Sequence, residues 1–240
     1  MTDILKRVEE NKKRLRPKLM EELAKKPLSR MLRRESWPDH ERAQYSPFEL
    51  ALAGGTIPRD AYADLLAQVY PVYIALEERE AELAGDPIAS LVFFDELHRS
   101  SGVAKDLDYF WPEWRTESKL LPVTVEYVAR VRNADPIQFV AHHYNRYLAD
   151  LSGGLMIAAA LKRAWDMNGE GLAYYDFPEI PDAMAWKDNY RARMDALPLD
   201  IEQKMYLIGE VMAAYEYNIE MADVLAATYL EDPNLEPAGA

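Results

Sequence analysis

The chain of 240 residues predicts an all-α protein of one domain. Three observations carry that expectation. Apolar residues recur at helical spacing through most of the length, and no stretch shows the alternation of a half-buried strand. Helix punctuation is frequent: Asp135-Pro136 is a strong start signal, and Gly54-Gly55 and the Gly169–Pro181 stretch fall between the periodic segments. Finally, there are no internal repeats and no linker-like composition shifts, and 49% hydrophobic content is enough for one well-packed core.

The elements follow in order. Ile4, Leu5, Val8, Leu15, Leu19 and Leu23 mark an amphipathic helix over 3–25, broken near Pro17. Ser36 and Asp39 look like a capping pair and Pro38 suits a first turn, so a short helix is expected from there past Gln44. Gly54-Gly55 reads as a loop. A helix should run from Pro58 through Leu83, kinked at Pro71, and another over 88–101 before an aromatic loop at Trp111-Pro112. Val123–Asn133 forms the next. The long helix from Pro136 is expected to reach Asp166, followed by a loop over Gly169–Pro181, a helix over 182–195 and a last one from Asp200 to Tyr229. These readings divide the chain into a basic amphipathic extension (1–27), the main domain (28–230) and a disordered tail (231–240).

Composition narrows the function. No apolar run is long enough to span a bilayer and no secretory pattern opens the chain, which makes a cytoplasmic location the expectation. Zero cysteines exclude disulfides, zinc–thiolate sites, iron–sulfur ligation and a cysteine nucleophile. The net charge of −13 is unevenly spread: residues 1–34 hold 12 Lys/Arg against 5 Asp/Glu, and the remainder holds 16 against 36. So acidic a body argues against nucleic-acid binding. The basic head is either a solvated helix face or an arm that docks on an acidic surface. A di-iron carboxylate centre requires Glu-Xaa-Xaa-His on two helices. Only Asp95-Glu-Leu-His98 comes near that spacing.

The most informative stretch is Tyr144-Asn-Arg-Tyr-Leu-Ala-Asp-Leu-Ser-Gly-Gly154, inside the long helical pattern. A glycine in a helix interior costs about 1 kcal/mol relative to alanine, so Gly153 and Gly154 need a local reason. A bent helix whose backbone approaches something flat and close supplies one. Asp150, three residues earlier, projects from the same side. Taken alone, Arg146 and Asp150 also fit an ordinary i,i+4 surface pair.

This stretch resembles the distal-helix signature of the heme oxygenases, with Ala149 where that family has its first glycine. The resemblance continues, in the family's order, at Tyr73-Ile-Ala-Leu-Glu-Glu78, Glu96-Leu-His-Arg99, Gly169-Glu-Gly-Leu-Ala-Tyr-Tyr-Asp-Phe-Pro178, Lys187-Asp-Asn-Tyr-Arg-Ala-Arg-Met194 and Asn218-Ile219. It implies a helical bundle holding heme between a proximal helix and a kinked distal helix. Heme b would be both substrate and cofactor, consumed with dioxygen and seven electrons to give biliverdin, ferrous iron and carbon monoxide. The chain has no flavin or nicotinamide fingerprint, so a ferredoxin or flavoprotein reductase must donate the electrons. A monomer is expected, with a dimer as the alternative.

The resemblance also assigns roles. His40, followed by Ala43 and Phe48 at the family's spacing, is the expected iron ligand. Of the other three histidines, His98 reads as a surface residue on a polar helix, and His142 and His143 as packed or hydrogen-bonded helix residues. Gln44, one turn beyond His40 where the family commonly has Glu, would accept the second imidazole N–H. Asp150 would organise the water that brings protons to dioxygen, so that oxygen attacks a porphyrin meso carbon, with Arg146 and Tyr73 beside it. Lys187, Arg191 and Arg33 match cationic positions at the propionates. Tyr144, Ala149, Gly153, Gly154 and Asn218 match positions lining the pocket. The methyl of Ala149 would face the heme and displace the distal helix slightly. The rival reading is a heme carrier or sensor on the same fold that does not turn over.

Overall fold

A computed structural model describes residues 26–230. The amphipathic helix expected over 3–25 and the expected disordered tail lie outside the described residues. Within them there are helices and loops and no strand. The α-helices are α1 (Leu28–Glu35), α2 (Trp37–Gln44), α3 (Pro47–Gly54), α4 (Arg59–Glu82), α5 (Ser100–Phe110), α6 (Trp114–Glu117), α7 (Pro122–Arg132), α8 (Pro136–Ala149), α9 (Leu155–Ala164), α10 (Ala183–Asp195) and α11 (Ile201–Tyr229). Helices α4, α8 and α11 form the central layer around a core that includes Tyr62, Leu66, Phe139, Tyr147, Val211 and Leu225. The short helices α1–α3 lie against α11 at one end, and α5 and α7 flank α4.

Most starts follow local chemistry. Asp135 and Gln138 form a capping box on α8: Asp135 Oδ1 accepts the N–H of Ile137 and of Gln138 at 2.9 Å, and Gln138 Oε1 accepts the N–H of Asp135 at 3.0 Å. Asp200 and Gln203 repeat the device on α11. Ser36 does not. Its backbone is already helical and its hydroxyl donates to Leu32 O at 2.8 Å, so it joins α1 to α2 instead of capping α2. Pro71 is accommodated inside α4, which runs unbroken past it.

The helix expected over 88–101 is absent. Two 3₁₀ turns, Ala89–Val92 and Asp95–Leu97, replace it, and α5 starts only at Ser100. Asp86 holds the first turn by accepting the N–H of Ile88 and of Ala89, both at 2.8 Å. Arg99 ties the second by donating to the carbonyls of Leu97 and Glu96. The cap of α5 comes from another helix: Glu77 of α4 accepts the N–H of Arg99 and of Ser100, both at 2.9 Å. No local pattern at 98–101 encodes that partner.

The long helix expected to end at Asp166 is three pieces. Between α8 and α9, residues Asp150–Gly154 form a π-helical segment, and α9 stops at Ala164. Asp166 takes the left-handed conformation (φ 51°) and the Met167 N–H returns to Lys162 O at 3.1 Å, which closes the helix end.

Candidate active site

The π-helical turn places Asp150, and three other elements converge on it. Asp150 is 6% exposed. Tyr73 of α4 donates its hydroxyl to one carboxylate oxygen, and Tyr174 donates to the other at 2.8 Å. Arg146, one turn earlier on α8, donates from Nη2 to both phenol oxygens, at 2.7 Å to Tyr73 and 2.8 Å to Tyr174. Its Nη1 donates to Asn218 Oδ1 of α11 at 2.9 Å, and Asn218 Nδ2 donates to Asn145 Oδ1 at 2.8 Å. Arg146 and Asp150 are not an exposed surface pair. Their charges are 3.9 Å apart, with Asp150 buried and Arg146 mostly so, joined through two phenols. Burial holds both phenols well above the usual tyrosine range, so they remain neutral donors.

Tyr174 belongs to the Gly169–Pro178 stretch, where the sequence gives it no role at this site. Its place depends on contacts that no local signal shows. It sits on a 3₁₀ turn, Ala173–Tyr175, pressed against α5. Asp106 accepts the N–H of Ala173 and of Tyr174, both at 2.8 Å. A Cβ on Gly102 would stand 2.7 Å from Ala173 O, so only glycine lets the turn approach this closely.

The two glycines have different surroundings. A Cβ on Gly154 would fall 2.6 Å from the Tyr175 ring, whereas a Cβ on Gly153 meets nothing within 4 Å. Gly154 is required by packing, and Gly153 borders open space. Ala149 has ordinary helical dihedrals and an exposed side chain.

His40 is carried by α2, which packs against α11. Its ring stacks on Trp37 (centroids 5.1 Å) and meets Tyr215 edge-on at 6.2 Å. Tyr215 and Asn218 are three residues apart on α11, one helical turn, so that helix carries both the His40 contact and the Arg146 contact. Arg42 fixes α2 to α11 through two bonds to Glu216, at 2.7 and 3.1 Å. Burial lowers the His40 pKa below its usual value, which favours the neutral ring with a free lone pair. Its Nδ1 is buried without a hydrogen-bond partner, and Gln44 is exposed, so the expected His40–Gln44 bond is not formed. The cause is that α2 ends at Gln44, with its side chain on the solvent side.

The cations are partly assembled. Arg33 and Arg191 both act electrostatically on Tyr144. Arg191 pairs with Asp188 at 2.7 Å and Lys187 Nζ lies 3.3 Å from Ser152 Oγ. Ser29 of α1 donates twice to Asp195 of α10, at 2.7 and 2.9 Å, which holds these two helices together. His142 and His143 are fully buried, and burial pushes both down to about 3. His98 is not on a helix. It caps the second 3₁₀ turn and its Nε2 lies 3.2 Å from Glu80 Oε1.

The family profile described as Heme oxygenase matches residues 26–223. This chain belongs to the heme oxygenase family. A heme oxygenase from Porphyra purpurea is 33% identical over 209 residues, covering 85% of this chain and 89% of that protein. Human heme oxygenase 1 is 32% identical over 212 residues, covering 85% and 74%. The crystal structure of heme oxygenase-1 from the cyanobacterium Synechocystis in complex with heme superposes with a TM-score of 0.80 at 32% identity, covering 85% of this chain and 94% of that one. The all-α heme oxygenase fold is therefore the fold of this chain. Among the described residues, no helix is long and apolar enough to cross a membrane.

Proposed function

We propose that the protein cleaves heme oxidatively to biliverdin, ferrous iron and carbon monoxide, with residues 28–230 as the working domain. The observation that carries this reading is a buried carboxylate, Asp150, held on a π-helical turn by two phenols and a guanidinium, beside a glycine that faces open space. Heme, as substrate, supplies the iron that activates dioxygen and the macrocycle that is opened.

The residues present fit that substrate. His40 offers a neutral imidazole, and its buried, unpartnered Nδ1 shows a ring whose hydrogen bonding the protein alone does not satisfy. Gly153 admits a flat group against the distal backbone. Arg33, Lys187 and Arg191 supply cations for two carboxylates. Tyr144 stands within electrostatic reach of Arg33 and Arg191.

The Asp150 network accommodates a proton without moving heavy atoms. With Asp150 ionised, each phenol gives its single hydrogen to the carboxylate, and the 2.9 Å approach of the two phenol oxygens is stabilised by Arg146 donating to both. When Asp150 takes a proton on Oδ1, that proton is donated to the Tyr174 oxygen. Tyr174 then turns its hydrogen to Tyr73, and Tyr73 keeps its bond to Oδ2. The ring closes over the same distances. Asp150 can therefore receive a proton and release it again, which is the transfer that dioxygen reduction consumes.

The electrons come from a ferredoxin or a flavoprotein reductase, and the protein works as a cytoplasmic monomer. Single turnover of the heme complex with reductant and dioxygen tests the reading. Loss of the Soret band with growth of a biliverdin band is expected, and Asp150→Ala should bind heme but yield little biliverdin. Stable, unreacted heme in the wild-type chain would mean a carrier or sensor. Full yield in Asp150→Ala would remove the role given to the carboxylate.

A further inference from the structure

We infer that the protein holds a second metal site, for a divalent transition-metal ion of the zinc type, built from Glu80, Asp95, His98 and His143. The site uses none of the heme-facing residues and does not depend on the heme reading.

Three elements meet there. Glu80 stands in the last turns of α4 and is 7% exposed, Asp95 and His98 bracket the second 3₁₀ turn, and His143 is on α8. One ligand atom from each of Glu80, Asp95 and His98 lies within 4.8 Å of the others. His98 Nε2 is 3.2 Å from Glu80 Oε1. That is the separation of neighbouring ligand atoms around a tetrahedral ion with bonds of about 2.0–2.1 Å.

The independent observation is His143. It is fully buried, its Nε2 has no hydrogen-bond partner, and that atom lies 4.0 Å from the second Glu80 oxygen. Its other nitrogen, Nδ1, is 2.9 Å from the Tyr190 hydroxyl. If Nδ1–H donates to Tyr190, Nε2 carries its lone pair 4.0 Å from Glu80 Oε2 with nothing to receive it, and a cation drawn between the two would receive it. An outer partner on the far ring nitrogen is the usual arrangement for a metal-bound imidazole. Two imidazoles with two carboxylates favour zinc or a similar ion over calcium or magnesium, which take oxygen ligands. Asp95 is exposed and His98 half-buried, so the ion has a way in. Once bound, it would tie α4 and the irregular 93–99 segment to α8, two turns before Asp150.

The test is calorimetric titration of ZnCl₂ into the full, chelator-treated chain, alongside thermal unfolding with and without zinc. One ion per chain is expected. Glu80→Gln, His98→Asn and His143→Asn should each weaken binding at least tenfold and lose the zinc-induced rise in Tm, while His40→Ala keeps both. Absence of stoichiometric binding overturns the site. So does unchanged affinity in any of the three variants, or loss confined to His40→Ala. Should a variant fail to fold, X-ray absorption of the zinc-loaded wild type decides: two imidazoles on the ion support the site, and one or none refutes it.

Discussion

Gly153 and Gly154 are adjacent, yet the structure gives them opposite reasons to be glycine, and alanine at each separates the two. At 154 the new methyl would lie 2.6 Å from Tyr175 Cδ1 and 3.3 Å from Cε1. Ordinary carbon contacts begin near 3.4 Å, so the ring must retreat by about 1 Å. Tyr175 is 4% exposed and packs on Tyr174 at 4.4 Å between centroids, so there is little room to move. With the ring this confined, the cost falls in the upper part of the range for overpacking, about 2–3 kcal/mol, of which about 1 is returned by better helix propensity. A fall in Tm of about 2–8 °C follows for a domain of this size. At 153 the methyl meets nothing within 4 Å, so only the propensity gain remains, and Tm should rise by about 1–4 °C. The same methyl would occupy the face where heme is proposed to lie, so hemin affinity should fall at least tenfold, about 1.4 kcal/mol. Circular-dichroism melts of the heme-free proteins and Soret titrations with hemin provide both measurements. The reasoning fails if Gly154→Ala melts with the wild type, or if Gly153→Ala binds hemin as tightly as the wild type does.

Three other outcomes are expected. Tyr174→Phe removes one donor to Asp150 and the closing member of the proton ring. Hemin binding should be unchanged, and biliverdin formation in single turnover should slow by about tenfold or more, within the range of general acid–base effects; an unchanged rate would make Tyr174 a packing residue. His40→Ala should give a weakly bound heme whose His-ligated spectrum returns on adding imidazole. If His142→Ala abolishes that spectrum instead, the ligand has been misassigned. For His142, the folded pKa of about 3 lies below the unfolded 6.5. Its contribution is therefore fully present above pH 6.5 and is lost as pH falls towards 3, by several kcal/mol in all, since each pKa unit corresponds to about 1.4 kcal/mol. Denaturant melts across that range should show the slope, and His142→Phe should reduce it by about half, because His143 is lowered equally; an identical slope in the variant would reassign the acid sensitivity to other groups.

Local chemistry alone made much of the fold legible. Helical periodicity, the Asp135–Gln138 box and the Asp200 start placed α4, α7, α10, α11 and the beginning of α8 to within a few residues, because a capping side chain and the N–H groups it satisfies are sequence neighbours. The signature around Asp150 announced the family, and the cost of two helix-interior glycines signalled that the backbone there is special. Where long-range contacts decide, the sequence was silent. Residues 88–101 have an adequate helical pattern, but Glu77 reaches across from α4 and starts α5 at Ser100. Ser36 resembles a cap, but its hydroxyl is spent on Leu32 O. Tyr174 reaches Asp150 only because Asp106, 68 residues away in sequence, holds its backbone. Which glycine packs and which faces the cleft depends on where Tyr175 lies. A period and a cap are properties of a few consecutive residues, whereas the shared burial of a carboxylate, two phenols and a guanidinium exists only once α4, α8, the 173–175 turn and α11 are packed together.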